Sequence, residues 1–520
     1  MARRTRVLLA AALTAAAPPQ AAAQAPARSN YEALRTFTEV LNHIRMNYVD
    51  SVAYEVLIRA AVDGVLRALD PHSRFVPRAD VERERAVARG DLASVGLVLE
   101  DVDGAPTVLS VVPDGPAARK GIAPGDRLVE IADTAIAGRQ AKDLERGLAG
   151  RPGSRITLTL ERGRRLEPAR YRVTVQRDVV RHRSVATFRM VDDSTGFMSL
   201  IDFAGDAARD VEDAVRRLAA RGATRLVMDL RGNPGGTVDA AVGVASLFLP
   251  RFAVVFRTRG RTPDQDQSYA TRMEGPFPDL AMVVLVDANT ASAAEALAAS
   301  LQDHDRALVV GQRTFGKALV QSPFTLPSGD VVWLTVGWVL SPSGRVIQRR
   351  YAGLSAGTYQ ALVGRWGPAD SLVPFRTDAG REVEGGGGVR PDVEVPPPPP
   401  RPAWHAIARD SLFDHAVADS VASTTSDAPA ERAVWTTDAE RWRPAVLEPY
   451  LSRVRRRLGV EAEVDDALAG ALALELAARV VEVRWGTAAR EELLLQHDPL
   501  VATALEQMPR LLALLASPSK

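Results

Sequence analysis

Three apolar runs in the middle of the chain constrain its fold more than any other feature: Arg225-Leu-Val-Met-Asp-Leu, Ala281-Met-Val-Val-Leu-Val and Ala307-Leu-Val-Val-Gly. Each is short and apolar through its centre, so it reads as a strand with both faces covered rather than as a water-facing one. Ala-rich amphipathic segments separate the runs, and such alternation builds an α/β layer structure. The rhythm extends from Val179 to about Val395. Ahead of it, Ser94 to Arg177 proceeds in short alternating strands, and residues 31–70 carry helical spacing, as in Leu34, Phe37, Val40, Leu41 and Ile44. The charged stretch Arg78 to Arg89 reads as a link between these two regions. Pro396–Pro400 is a stiff, helix-incompatible stop, after which helices are expected over 404–422, 446–458, 464–484, 488–495 and 499–516. A chain of 520 residues has room for about three domains.

The first residues, Met1-Ala-Arg-Arg-Thr-Arg, precede an apolar run of about eleven residues and an Ala-rich exit through Ala25. That pattern predicts a secretory signal peptide over 1–25, and the run is shorter than the roughly 20 residues of a membrane span. The mature protein is therefore expected outside the cytoplasm, periplasmic or secreted. Charge is balanced, 65 Lys+Arg against 64 Asp+Glu, which argues against a nucleic-acid partner. The absence of cysteine excludes disulfides, thiolate catalysis and Cys-ligated metal. The seven histidines show no metal-ligand spacing, so neither a metal nor a cofactor is expected. Only Lys120, Lys142, Lys317 and Lys520 are lysines; every other basic residue is arginine.

That bias makes Lys317 informative. It lies in Thr314-Phe-Gly-Lys-Ala-Leu-Val-Gln321, among apolar neighbours. Arginine cannot give up its proton at usable pH, whereas a desolvated lysine can act as a base. Gln321 offers an uncharged amide to orient a neutral amine. Ser292 stands where the run ending in Leu285-Val-Asp gives way to an Ala-rich helix. From position alone it is more often an N-cap than a nucleophile. Asp229-Leu-Arg-Gly-Asn-Pro-Gly-Gly236 is a strand entering a loop whose Gly235 and Gly236 could turn backbone N–H groups toward one point, as an oxyanion needs. Taken alone, the loop could equally be a tight turn. A Ser292–His304 triad with Asp303 or Asp305 is disfavoured: no Gly-x-Ser-x-Gly elbow is present, and a helix-end histidine usually serves as a cap. Asp70, Pro71 and His72 read as a helix-ending turn.

Between Ser94 and Arg177, the series Val112-Pro-Asp-Gly-Pro-Ala-Ala-Arg-Lys-Gly-Ile-Ala-Pro-Gly-Asp126 resembles a PDZ domain. Such domains add an extended peptide to a sheet edge and capture its terminal carboxylate. The resemblance implies that Val95, Gly96 and Leu97 form the carboxylate-binding loop.

The motifs Asp229–Gly236, Ala291-Ser-Ala-Ala-Glu295, Leu301-Gln-Asp-His304, Thr314–Gln321, Ser341-Pro-Ser-Gly-Arg345 and Gly385–Asp392 occur in this order. With Leu66-Arg-Ala-Leu-Asp-Pro-His-Ser73, they resemble the C-terminal processing peptidases, the tail-specific proteases of the serine–lysine S41 class, across about 30–395. The resemblance implies Ser292 as nucleophile, Lys317 as general base and Gln321 as its orienting partner. It implies an oxyanion hole from the backbone N–H of Ala293 with that of Gly235 or Gly236. The expected architecture is α/β and multidomain: a helical region 30–85, an inserted β-rich PDZ domain 90–178, a ClpP/crotonase-like S41 peptidase core 179–395, a Pro-rich linker 396–402 and a helical C-terminal region 403–520. The expected function is a secreted endopeptidase that binds protein or peptide substrates by free, apolar C-termini and cleaves through an acyl-enzyme. Peripheral membrane association, a homodimer and an adaptor protein stay open as partners. Two rivals are a non-catalytic PDZ scaffold on a retired protease core and a crotonase-like acyl-CoA enzyme, the latter opposed by the signal sequence.

Overall fold

The computed structural model describes residues 30–89, most of 93–179, then 183–351, 374–396, 466–485 and 487–516, with scattered residues between. The signal sequence, most of the Pro-rich linker and the expected helix 404–422 lie outside the described residues. The chain divides into Met1–Val65 and Leu66–Lys520. In the first unit, Asn30–Asn47 is one helix and a second begins at Tyr54, running across the boundary to Leu69.

The larger unit is built on a six-stranded sheet in the order Val185–Met190, Thr195–Leu200, Arg225–Asp229, Ala281–Val286, Ala307–Gly311, Val393–Glu394. Only the first pair is antiparallel. Side chains alternate across a strand, so Leu226 and Met228 point to one face and Val227 to the other. Leu226 and Met228 join the cluster that includes Val211, Val215, Leu218 and Leu297, from helices Ala207–Ala219 and Ala293–Asp303. Val227, Val283, Leu285, Leu308 and Val310 meet Leu500, Val501, Ala504, Met508 and Leu511 of helix Pro499–Leu515. Both faces are thus covered, which is why Ala281–Val286 is apolar and buried at every position. The helix that supplies the second cover comes from the far C-terminal region.

A second sheet is antiparallel, with Arg74–Val76, Val331–Leu340, Val254–Gly260 and Ser268–Ala270 in line and Leu319–Thr325 also paired to Val331–Leu340. Arg78–Arg89, expected as a charged link, is a helix instead. Its Val81 is buried with Val76 and Val331, which seats the helix against this second sheet.

The inserted domain has its own sheet and core. Leu97–Val102, Ala105–Val111, Arg127–Ile131, Arg155–Arg162 and Ala169–Gln176 form the line of strands, with Leu97–Val102 at an edge. Leu97, Leu99, Leu128, Leu158 and Leu160 pack with Leu144 and Leu148 of helix Ala141–Leu148. The insert leaves and rejoins the chain side by side, because Ala93–Ser94 pairs antiparallel with Asp178–Val179. Among the described residues no helix is long and apolar enough to cross a membrane.

Candidate active site

Ser292 occupies the residue before helix Ala293–Asp303 with φ 58° and ψ −116°. A non-glycine residue held in that region is strained and persists only where its surroundings over-determine it. Those surroundings are specific. Thr290 donates its hydroxyl to the Leu230 carbonyl at 2.8 Å, and Ala291 N–H donates to the Asn233 carbonyl at 2.9 Å. Asp287 Oδ1 accepts from Thr290 N–H and Gly232 N–H, both at 2.9 Å. The turn bearing Ser292 is therefore stitched to the loop after Arg225–Asp229.

Glu295 closes the arrangement. Fully buried, it accepts Ser292 N–H at 2.9 Å and Lys317 N–H at 2.8 Å on the same oxygen, Oε2. Its Oε1 accepts from Gly316 N–H at 2.7 Å and from the Thr314 hydroxyl. One carboxylate thus joins the main chain of Ser292 to that of Lys317. Burial raises the Glu295 carboxyl above its ordinary value, with the four donors opposing that shift only in part. Glu295 had one signal in the sequence, the capping-box spacing Ser-x-x-Glu before an apolar run.

Lys317 is half-buried, and its Nζ donates to Gln321 Oε1 at 3.1 Å. No hydrogen bond joins this amine to the Ser292 hydroxyl. Burial, then the positive charge of Arg74, lowers its pKa from the ordinary 10.5, against the opposing pull of Glu295 and Asp70. Gln321 is held from its other end, Nε2 donating to the His72 carbonyl at 2.7 Å. That carbonyl belongs to the turn Asp70–Ser73, in which Asp70 accepts from His72 N–H, Ser73 N–H and the Ser73 hydroxyl, each at 2.7 Å. So the helix-ending turn also anchors the side chain that holds the lysine. His72 is kept neutral, its pKa lowered to about 4 by burial and then by the nearby Lys317 charge. A pocket of about 440 Å³ opens here, lined among others by Pro71, His72, Pro234, Phe315, Lys317 and Tyr359.

The two loop glycines have different neighbours. Gly235, at φ 93°, lies against the Ser292 turn: a Cβ there would come within 2.8 Å of Ala293 N and of Ser292 Cβ. Its N–H donates to Asn233 Oδ1 at 2.8 Å. A Cβ on Gly236 would instead meet the Phe203 carbonyl at 2.2 Å. Ala293, the first residue of its helix, has no carbonyl within that helix for its N–H.

His304 ends the same helix, roughly 18 Å from Ser292 at 1.5 Å per residue. Its ring bonds Asp378 at 2.7 Å and the Val254 carbonyl at 2.8 Å. Asp303 pairs with the fully buried Arg345, and Asp305 with Arg381. The Ser341–Arg345 and Gly385–Asp392 motifs thus brace this end of the helix. Val95, Gly96 and Leu97 sit apart, in the inserted domain: Val95 is buried with its carbonyl accepting Ala117 N–H at 2.9 Å, Gly96 has φ 76°, and Leu97 opens the edge strand. Among the described residues no cluster of His, Asp or Glu has metal-site geometry.

An α/β core with an inserted PDZ domain and a serine turn tied to a half-buried lysine defines a class, that of S41-type proteases. The sequence pattern of peptidase family S41 matches residues 194–355, and that of a PDZ domain matches 107–162. The carboxy-terminal-processing protease of Bartonella bacilliformis is 31% identical over 328 residues, covering 62% of this chain and 74% of the relative. The carboxy-terminal processing protease CtpA of Bacillus subtilis is 26% identical over 308 residues, covering 59% and 65%. Among solved structures, a photosystem II D1 C-terminal processing protease is similar, with 24% identity, a TM-score of 0.37, and coverage of 69% of this chain and 92% of that one. The chain belongs to the S41 family of carboxy-terminal-processing proteases.

Proposed function

We propose that this protein is an extracytoplasmic serine endopeptidase in which Ser292 and Lys317 act as a dyad. The supporting observation is the single Glu295 oxygen that accepts the backbone N–H of both residues. Ser292 Oγ attacks the scissile carbonyl while neutral Lys317 takes the hydroxyl proton. The tetrahedral oxyanion is held by Ala293 N–H and by a loop N–H, with Gly235 beside the serine turn. For Gly235 to serve, its N–H must leave Asn233. The lysine then returns the proton to the departing amine, leaving an ester on Ser292. Water, deprotonated by the same amine, hydrolyses that ester. Gln321 holds the amine without adding negative charge, so it orients the base and leaves its pKa low. Lys317 Nζ is 3.1 Å from Gln321 Oε1 at rest, and catalytic hydrogen bonds often tighten only when substrate binds.

The PDZ domain would take the substrate's free, apolar C-terminus along the edge strand Leu97–Val102, with Val95–Leu97 meeting the carboxylate. The test of the dyad is a pair of single variants and their combination. Ser292→Ala and Lys317→Ala should each lower cleavage of a denatured protein by at least a thousand-fold, with the double variant no worse, because groups that act as a unit are non-additive. Near-normal cleavage by either single variant would sink the assignment.

A further inference from the structure

The helix Pro499–Leu515 does more than cover the sheet. Asp498, its N-cap, uses Oδ1 to accept Leu500 N–H at 2.9 Å and turns Oδ2 to Arg231 at 2.6 Å. Arg231 also grips Asp229 through Nε at 2.8 Å and its terminal nitrogen at 2.6 Å. One guanidinium thus bridges the last residue of strand Arg225–Asp229 and the start of the C-terminal helix. Both of its partners are well shielded, with 10% and 17% side-chain exposure, so the contact is not a solvated surface pair. Arg231 directly precedes Gly232, whose N–H is fixed by Asp287, and lies four residues before Gly235, which rests on the Ser292 turn. The helix itself is anchored by five buried apolar side chains on the sheet face beneath that loop.

We propose that Asp498 is a positioning residue for the oxyanion loop: through Arg231 it locks Asp229–Gly236 in register with Ser292, making the C-terminal helix part of the peptidase machinery. This rests on the reading of Ser292 and its loop given above. Loop donors act on the transition state and little on substrate binding, so disturbing them lowers kcat and leaves KM. Asp498→Asn is the informative change, because asparagine caps a helix about as well as aspartate yet loses the charge that holds Arg231.

The experiment is steady-state cleavage of fluorescently labelled casein by the full chain, with thermal unfolding alongside. Asp498→Asn should lower kcat at least ten-fold with KM within two-fold and a near-unchanged Tm, and Asp498→Glu should recover most of kcat. In an Arg231→Gln background the same Asp498→Asn change should cost less than two-fold, since its partner is already gone. Unchanged kcat in Asp498→Asn, an equal loss in both backgrounds, or a variant unfolded at the assay temperature would overturn the proposal and leave Asp498 a plain helix cap. Ser292→Ala separates the two readings: if it is inactive while Asp498→Asn is normal, only the positioning role fails.

Discussion

At the scale of single residues, the site is organised by a carboxylate that touches no reacting atom. Glu295 satisfies Ser292 N–H, Gly316 N–H, Lys317 N–H and the Thr314 hydroxyl, all from the interior. Glu295→Ala leaves these donors buried without acceptors, at about 1–3 kcal/mol for each such group. We expect a loss of at least about 3 kcal/mol of stability together with loss of cleavage, read by denaturant unfolding and casein hydrolysis. A Glu295→Ala protein of normal stability would contradict the clamp. The base gives a pH prediction. Lys317 must be neutral to accept the serine proton, so activity falls as pH drops through its pKa and is retained above it. That pKa is lowered by burial and Arg74, so the midpoint of the kcat/KM profile should lie below 10.5. His72, uncharged above about pH 4, should not titrate on that limb, and His72→Asn should retain it. Lys317→Arg keeps the charge and cannot deprotonate, so it should be folded and inactive.

Among the elements, the edge strand Leu97–Val102 makes the clearest demand. Its partner on one side is Ala105–Val111, while the other side is the sheet's edge, where main-chain groups can take an added strand. Val98 is exposed on this strand, and Leu97 and Leu99 are turned into the core with Leu144 and Leu148. Peptides with a free apolar end should be cut at lower KM than the same peptides amidated or ending in Asp or Glu. Amidation removes the charge that loop donors would meet, and an acidic end places charge against apolar side chains. Equal KM for all three would refute tail recognition and leave the dyad standing. The turn Asp70–Ser73 shows how a short element gains a second task. Its hydrogen bonds end the helix Tyr54–Leu69, and its His72 carbonyl sets Gln321.

For the molecule as a whole, insertion of the PDZ domain through one antiparallel stem makes it removable. Ala93 and Val179 face each other in that stem, so a few flexible residues could span the roughly 5 Å gap. Replacing residues 93–179 with a short Gly-Ser linker should abolish the preference for apolar tails in the peptide series, while cleavage of denatured casein persists. Loss of both activities in a folded deletion protein would show that the domain is needed for the chemistry too.

The sequence by itself determined what local chemistry can encode. Doubly apolar strands announced a sheet covered on both faces, and the isolated lysine marked a candidate base, since a group able to lose its proton suits its use among arginines. The order of motifs announced the family. Periodicity could not announce which segment covers the second face, because Leu500, Val501, Ala504, Met508 and Leu511 look like any amphipathic helix until packed. Nor could it tell that the charged helix Arg78–Arg89 seats its Val81 against Val76 and Val331. At the site, Ser292 was legible as a helix-start serine, but its positive φ was not, for that strain is held by hydrogen bonds from residues some 60 positions away, such as Thr290 to Leu230. Glu295, the Gln321–His72 link and the Arg231–Asp498 bridge are likewise contacts between distant parts of the chain. A residue's type limits what it can bond, but only tertiary packing brings the partner within reach and removes the water that would otherwise take its place.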